Sequence, residues 1–484
     1  MGKKFCKKFL ILNVIFLFIS LAVFPSFNSE MVTKSLKKIE ESSNDICDLL
    51  ILAPKQFKRL LQPLVAHKNK FGIETKLVTL DFVYDQIWYG RDNAEKIKYF
   101  IKETLDNCGI KYVLLVGGIK KQISKNEVYW LPVRYVYLSD RWGGTYEWGN
   151  YLEKKFLSDL YFADIYDSKG DFSSWDTDRD GIYGEWKDNN SAEDILDLYP
   201  DVYIGRLPCR NRLEVKTMVR KIINYEKVNN SGTEWFNKMM AVAGDTYLGN
   251  EKYEGEVETQ QALDMMPGFT QIKLWTSEGN LTGPRDVLKA WNNGCGFIYF
   301  AGHGSPYLWG TYPPNEKPII YGLKLQHIPF LFNGKKLPIC IVGGCHNSMF
   351  NVSLFKHNNW TTIFGCYECF SWRLTRKIGG GSIATIGNTA LGYGSEDKLD
   401  PNKGGGGGNL TVFFFEAYGM KNIGILGEAW GRAISSYLDE FPILWDENSN
   451  NDTTIDAKTV LQWELMGDPS LKIGGYSKID NKII

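Results

Sequence analysis

The sequence predicts an α/β protein made of two successive α/β units, the second with a mainly parallel sheet flanked by helices. Three observations lead there. From residue 45 onward, short apolar runs alternate with helix-patterned segments, as strands joined by crossover helices do. The alternation restarts after a polar segment at 229–233. The chain has 484 residues, more than one hydrophobic core usually spans, so two units of roughly two hundred residues each fit better than one very large sheet.

In chain order, residues 48–53 read as a strand, 54–71 as a helix, 74–80 as a strand, 93–107 as a helix and 112–118 as a buried strand. Residues 121–200 break this rhythm. They are rich in Trp, Tyr, Asp and Gly, with five Trp from Trp130 to Trp186, and read as a long insertion before Tyr203 and Ile204 return the chain to the sheet. A helix at 212–228 then leads into the boundary segment. The first unit therefore covers 45–232 and the second 233–476. In the second, strands are expected at 238–244, 270–275, 296–301, 337–343 and 381–386, and helices at 254–265, 283–292, 410–418 and 426–439. The glycine run at 404–408 is the one low-complexity stretch.

Composition narrows the function. Lys plus Arg and Asp plus Glu each number 56, so the net charge is zero and nucleic acid is not an expected partner. With 44% hydrophobic and 14% aromatic residues the chain has ample apolar mass for a core, which excludes global disorder. At the start, Lys3, Lys4, Lys7 and Lys8 precede an apolar run at 9–24, the layout of a secretion signal. As a helix that run would reach roughly 24 Å, short of a hydrocarbon core of about 30 Å. Residues 1–29 are read as a removed signal peptide. Pro25, Phe27 and Asn28 crowd the cleavage site, so an uncleaved anchor is the alternative, and membrane association follows only from it. The body is expected outside the cytoplasm.

Two strand ends carry candidate chemistry. The run at 296–305 puts His303 just past an apolar strand with glycine on either side, and 339–347 puts Cys345 at the same kind of place. In open parallel sheets the carboxyl ends of strands form the crevice where ligands bind. A free thiol is a poor nucleophile at neutral pH, and a neighbouring imidazole activates it or donates the later proton. A buried core cysteine and a loop histidine are the plainer alternative. His346 adjoins Cys345, but neighbouring residues at a strand end point in opposing directions, so it is expected to face away. His67, His327 and His357 read as structural, in surface-like contexts.

A second pattern lies in the insertion. Asp176, Asp178 and Asp180 occupy the first, third and fifth places of a loop whose sixth residue is Gly181. Oxygen ligands in that order, completed by the Ile182 carbonyl and by Glu185 at the tenth place, suit one structural Ca²⁺. Lys187 at the twelfth place departs from the EF-hand pattern, and an ordinary acidic turn is the alternative.

Of nine cysteines, setting aside Cys6 and Cys345 leaves an odd number. Cys366 and Cys369 lack a second ligand pair for zinc, and either a local disulfide or two free thiols fits them.

The two strand-end motifs together resemble the caspase clan of cysteine peptidases, and within it the gingipain family. Further matches run along the chain: 158–161 (Ser-Asp-Leu-Tyr), 203–208 (Tyr-Ile-Gly-Arg-Leu-Pro), Tyr225-Glu226, 302–305, 345–347 and 466–471 (Met-Gly-Asp-Pro-Ser-Leu). The resemblance implies a small first α/β subdomain and a caspase-like catalytic second one. It implies a protein or peptide substrate, no organic cofactor, Cys345 as nucleophile, His303 as its partner, and the backbone N–H groups of Gly304 and Cys345 as oxyanion donors. The family's third, acidic member falls near Asp245, one position off and Asp rather than Glu; a strand-end Asp capping a turn is the alternative. The family's acid for a basic residue before the scissile bond falls near Glu256, which could equally be a helix N-terminal Glu favoured by the macrodipole. Only Tyr393 stands where an aromatic pocket wall is expected. Hydrolysis and transpeptidation share all these residues, and an inactive cell-surface binding module could keep the fold.

Overall fold

The computed structural model describes residues 46–120, 127–138, 153–186, 192–249, 252–354, 366–394, 405–445 and 451–477. The signal or anchor expected at 1–29 and His357 lie outside these residues. Among the described residues no helix is long and apolar enough to cross a membrane.

The first sheet is wholly parallel. Its strands are β1 (Leu49–Ala53), β2 (Thr75–Thr79), β3 (Tyr112–Val116) and, after the insertion, β6 (Tyr203–Leu207), in the order β2-β1-β3-β6. Every residue of β1 and β3 is buried, which is why both read as continuous apolar runs. The crossovers are α1 (Lys58–Lys70), the short α2 (Leu80–Gln86) and α3 (Asn93–Cys108). Asp92 starts α3 by accepting a bond from the Glu95 amide, and Gly109 ends it at φ +66°. The insertion adds a small antiparallel pair, β4 (Tyr135–Val136) with β5 (Phe156–Leu157). Then α4 (Arg212–Glu226), capped by Asn211, leads to the second sheet.

That sheet has six strands in the order β15-β14-β13-β9-β7-β8. They are β7 (Lys238–Ala243), β8 (Thr270–Trp275), β9 (Phe297–Ala301), β13 (Ile339–Gly343), β14 (Ala384–Asn388) and β15 (Trp463–Met466). All pairings are parallel except β14 with β15. Helices α5 (Glu254–Asp264), α6 (Pro284–Asn293), α7 (Phe370–Thr375), α8 (Gly406–Gly419), α9 (Leu426–Glu440) and α10 (Asn451–Gln462) accompany it. Between β9 and β13 the chain makes an antiparallel ribbon, β10 (His303–Gly304), β11 (Leu308–Thr311) and β12 (Ile320–Lys324). Architecture of this kind, parallel strands covered by helices, is the α/β class expected. The ribbon, α2, α7, α10 and β15 were not.

Both sheets belong to one compact unit, Cys47–Ile484, and the motifs of the resemblance join them. Gly205 of β6 packs so closely on the Gly467 carbonyl that a Cβ there would lie 2.6 Å from it. Arg206 grips Asp159 with two charge-assisted bonds of 2.5 and 2.6 Å, and Glu464 of β15 accepts from the Asp159 amide at 2.7 Å. A second buried cluster joins Lys68 to Glu226 and to Asp468, each at 2.8 Å. His67 meets the same Glu226 at 2.9 Å and is buried, so the surface setting read for it does not hold. His327 closes its own turn by accepting from the Lys324 amide.

Candidate active site

Strands β9 and β13 run side by side in register, Ala301 opposite Gly343. His303 and Cys345 each lie two residues beyond that pair, at the carboxyl ends of adjacent parallel strands, where a ligand crevice forms in an open sheet. The Gly302 amide still donates to the Gly343 carbonyl at 3.0 Å. Beyond it the two turns touch: a Cβ on Gly304 would fall 2.1 Å from Asn347 Oδ1, and one on Gly344 would fall 3.0 Å from the Gly304 nitrogen. Glycine is therefore required on both sides. Asn347 locks the contact by donating to the carbonyls of Ser305 (2.8 Å) and Leu308 (3.0 Å). The Gly304 and Cys345 amides are thus carried on two turns in van der Waals contact.

Each partner of the pair has a backbone anchor. His303 Nε2 meets the Thr246 carbonyl at 2.9 Å, and its ring lies edge-on to Tyr312 at 5.4 Å. The Cys345 thiol points at the Gly392 carbonyl, 3.7 Å away, on the loop after β14. That loop is sewn to the cysteine turn by the His346 amide donating to Ala390 and the Ser348 amide donating to Asn388. Burial pushes the His303 imidazole below its ordinary value, against the opposing pull of the Thr246 carbonyl and Asp245. Burial pushes the Cys345 thiol up, against the Gly392 carbonyl. Both residues therefore favour their neutral forms.

Asp245 ends β7 directly before Thr246. It is fully buried, accepts from the Asn315 amide at 2.8 Å, and pairs by backbone with Tyr312. Burial and the nearby Glu254 raise its carboxyl above the usual range. The contact that orients the ring is the Thr246 carbonyl, with Asp245 acting on it through charge. Glu256 lies in the first turn of α5, buried, and accepts from the Ser277 amide (3.0 Å), the Ser277 hydroxyl (2.5 Å) and Thr276 Oγ1 (3.3 Å). The one Thr276 hydroxyl proton is shared between Glu256 and the Tyr312 carbonyl, so Glu256 lies at the rim formed by the ends of β7 and β8. Tyr393 follows Gly392, whose carbonyl meets the thiol, and its ring lies 5.4 Å from the Lys458 ammonium.

His346 is turned to Glu153, 2.9 Å away, and is fully buried. The cause is a left-handed residue, φ +58°, inside a tight turn rather than strand alternation. Sequence reasoning missed Glu153, Thr246, Glu254 and Asn347. Only Asn347, inside the cysteine motif, stood where a local signal could have found it; Glu153 comes from the insertion, far away in the chain.

In the insertion, carboxylate oxygens of Asp176, Asp178 and Asp194 lie within 4.8 Å of one another, and so do those of Asp178, Asp180 and Glu185. Asp178 belongs to both groups. Asp194 is a further acid that the loop pattern did not contain. Arg91 donates to Asp176 Oδ2, while Asp176 Oδ1 is buried without a hydrogen-bond partner, the situation a cation relieves. The Gly181 amide closes the loop on Asp176 at 3.1 Å. All donors are hard oxygens, so the residues fit a divalent cation. The cysteines at Cys366 and Cys369 are free thiols, and Cys366 donates to the Glu368 carbonyl at 2.8 Å.

The family model for peptidase family C25 matches residues 42–474. Gingipain R2 of Porphyromonas gingivalis is 22% identical over 331 residues, 66% of this chain and 34% of that protein. Lys-gingipain of the same organism is 23% identical over 308 residues, 60% of this chain and 16% of that protein. The chain thus spans about a third or less of the length of these curated relatives. The crystal structure of the Arg-specific cysteine proteinase gingipain R superposes with a TM-score of 0.58 at 20% identity, over 88% of this chain and 78% of that one. A complex of pro- and mature domains from P. gingivalis gives the same TM-score at 19% identity, over 88% and 79%. These two likenesses show a shared fold.

Proposed function

The chain belongs to peptidase family C25, and on that premise we propose that it is a cysteine endopeptidase whose nucleophile is Cys345 and whose acid–base partner is His303. The observation that carries this reading is the register of β9 and β13, which leaves the two side chains two residues beyond one paired position. His303 takes the thiol proton as Cys345 Sγ attacks the peptide carbonyl. The N–H groups of Gly304 and Cys345 receive the oxyanion of the tetrahedral intermediate. Collapse breaks the C–N bond, His303 gives its proton to the leaving amine, and a thioester remains. Water, losing a proton to His303, then attacks the thioester and releases the new carboxylate and the free thiol.

Asp245 stabilises the imidazolium through charge while Thr246 orients the ring. Glu256, a buried carboxylate on the rim, and Tyr393 beside the nucleophile's loop form the pocket for the residue before the scissile bond, and a carboxylate there selects Arg or Lys. Asp176, Asp178, Asp180, the Ile182 carbonyl and Glu185 would hold one structural Ca²⁺ in the insertion, with Asp194 as a further acid. The leader-like segment at 1–29 supports action outside the cytoplasm, where calcium is abundant.

A peptide-library digest tests this reading. Wild-type protein should cut, mainly after Arg or Lys. Cys345→Ala and His303→Ala should each lose hydrolysis by about 10³-fold or more, and the double variant should lose little beyond either. Substantial turnover by folded Cys345→Ala would overturn the assignment.

A further inference from the structure

Glu153 makes a set of contacts that the dyad chemistry does not use. One oxygen, Oε1, meets His346 Nε2 at 2.9 Å. The other, Oε2, accepts from the Leu391 amide at 2.8 Å and from the Lys458 ammonium at 3.0 Å. His346 directly follows Cys345. Leu391 directly precedes Gly392, whose carbonyl meets the Cys345 thiol. One carboxylate therefore grips the chain on both sides of the nucleophile: the residue after the sulfur's own backbone, and the residue before the carbonyl the sulfur points at.

We propose that Glu153 is a positioning residue, which clamps the Cys345 turn to the 391–393 loop and makes the insertion part of the catalytic centre. The proposal rests on the assignment of Cys345 as nucleophile. His346 and Lys458 are fully buried, so the clamp works in a medium where charge-assisted bonds are strong and a lost partner is costly. Burial opposes the charge on Glu153, but Lys458 and His346 outweigh it and hold the carboxyl down at about 2, so it is ionised near neutral pH. His346 supports the clamp in a second way. Its left-handed backbone, uncommon outside glycine, is held by the hydrogen bond to Glu153 at the tip of its side chain. The arrangement turns the sulfur toward Gly392 and the imidazole of His346 away from it, leaving His303 as the acid–base partner of the thiol. A nucleophile misplaced by about 1 Å loses on the order of a hundred-fold in rate, which is the scale on which a clamp of this kind acts.

The test uses the full chain as wild type, Glu153→Gln and Glu153→Ala. The glutamine keeps the shape and one acceptor for the Leu391 amide but loses the negative charge that pairs with Lys458, and it serves should the alanine variant fail to fold. Two quantities are read: kcat and KM on a peptide substrate, and the rate at which iodoacetamide alkylates Cys345, followed by mass spectrometry. The expected result is a fall in kcat of about ten-fold or more with KM within about two-fold, larger for alanine than for glutamine. Alkylation of Cys345 should rise by about three-fold or more as its loop opens, with buried Cys340 and Cys369 unlabelled. Unchanged kcat and unchanged alkylation in both variants would overturn the proposal. So would labelling of Cys340 and Cys369 in step with Cys345, which marks general loosening. A wild type that alkylates at Cys345 but cuts no peptide would sink the peptidase assignment and leave the clamp to be decided by the alkylation rates alone.

Discussion

Burial disfavours the charged form of both His303 and Cys345, which favours a neutral imidazole and a neutral thiol at rest. In the proposed mechanism the proton then moves during attack, and the base has to be unprotonated to receive it. Since His303 in the folded protein titrates below its ordinary value of 6.5, the acid limb of kcat/KM should have its midpoint below pH 6.5, activity being lost as pH falls through it. Asp245 favours the charged ring, so Asp245→Asn should move the midpoint further down; a pH–rate profile of both proteins decides it, and a wild-type midpoint above 6.5 would refute the neutral pair. The same shift acts on stability. The unfolded chain binds this proton more readily, so the contribution is whole above pH 6.5 and is lost as the pH falls. At this scale the sequence showed His303 and Cys345 because strand, glycine and reactive side chain lie within a few residues of one another. It could not show Glu153, whose role depends on which loop the insertion lands beside.

The acidic loop of the insertion is an element whose carboxylates repel one another unless a cation is present. Asp176, Asp178 and Asp194 bring their oxygens together, and so do Asp178, Asp180 and Glu185, while Arg91 donates to Asp176. Binding only the folded form stabilises it by about 2.7 kcal/mol when free calcium is a hundred times the dissociation constant. The melting temperature should therefore rise in calcium and fall in chelator, with Asp178→Ala nearly insensitive because Asp178 serves both carboxylate groups; a melting curve indifferent to both additions would return the loop to an ordinary acidic turn. Elements buried on both faces, such as β1, β3 and β9, were legible because every residue is aliphatic or aromatic and the runs are short. The ribbon β10–β12 was not, since its strands carry Gly, Trp, Tyr and Lys in no clear alternation. Nor was β15, four residues long with Glu464 inside it, which pairs antiparallel at a sheet edge where a charge is read as a loop. Helix α8 begins inside the glycine run, a start that propensity argues against and packing imposes.

On the scale of the whole molecule, charged side chains rather than apolar ones specify how β6 meets β15. Arg206 is buried between Asp159, the Gly117 carbonyl (2.9 Å) and the Pro132 carbonyl (3.2 Å). Asp159 in turn lies against Glu464, whose carboxyl is pushed well up by burial and by the Asp159 charge. Arg206, bonded twice to Asp159, is the cation that balances the charge of this acidic pair. Arg206→Met removes the cation but keeps the bulk, stranding that charge in the interior at a cost of roughly 3–5 kcal/mol. The double variant Arg206→Met with Asp159→Asn removes both charges at once. Because the loss comes from an uncompensated ion rather than from a missing contact, the double variant should regain a large part of the stability lost by the single one, a coupling of the sign expected for directly bonded residues. Urea unfolding followed by tryptophan fluorescence measures all three proteins. A single variant within about 1 kcal/mol of wild type, or a double variant less stable than either parent, would show that the join between the sheets is held by the close packing of Gly205 on Gly467 and owes little to the buried ions.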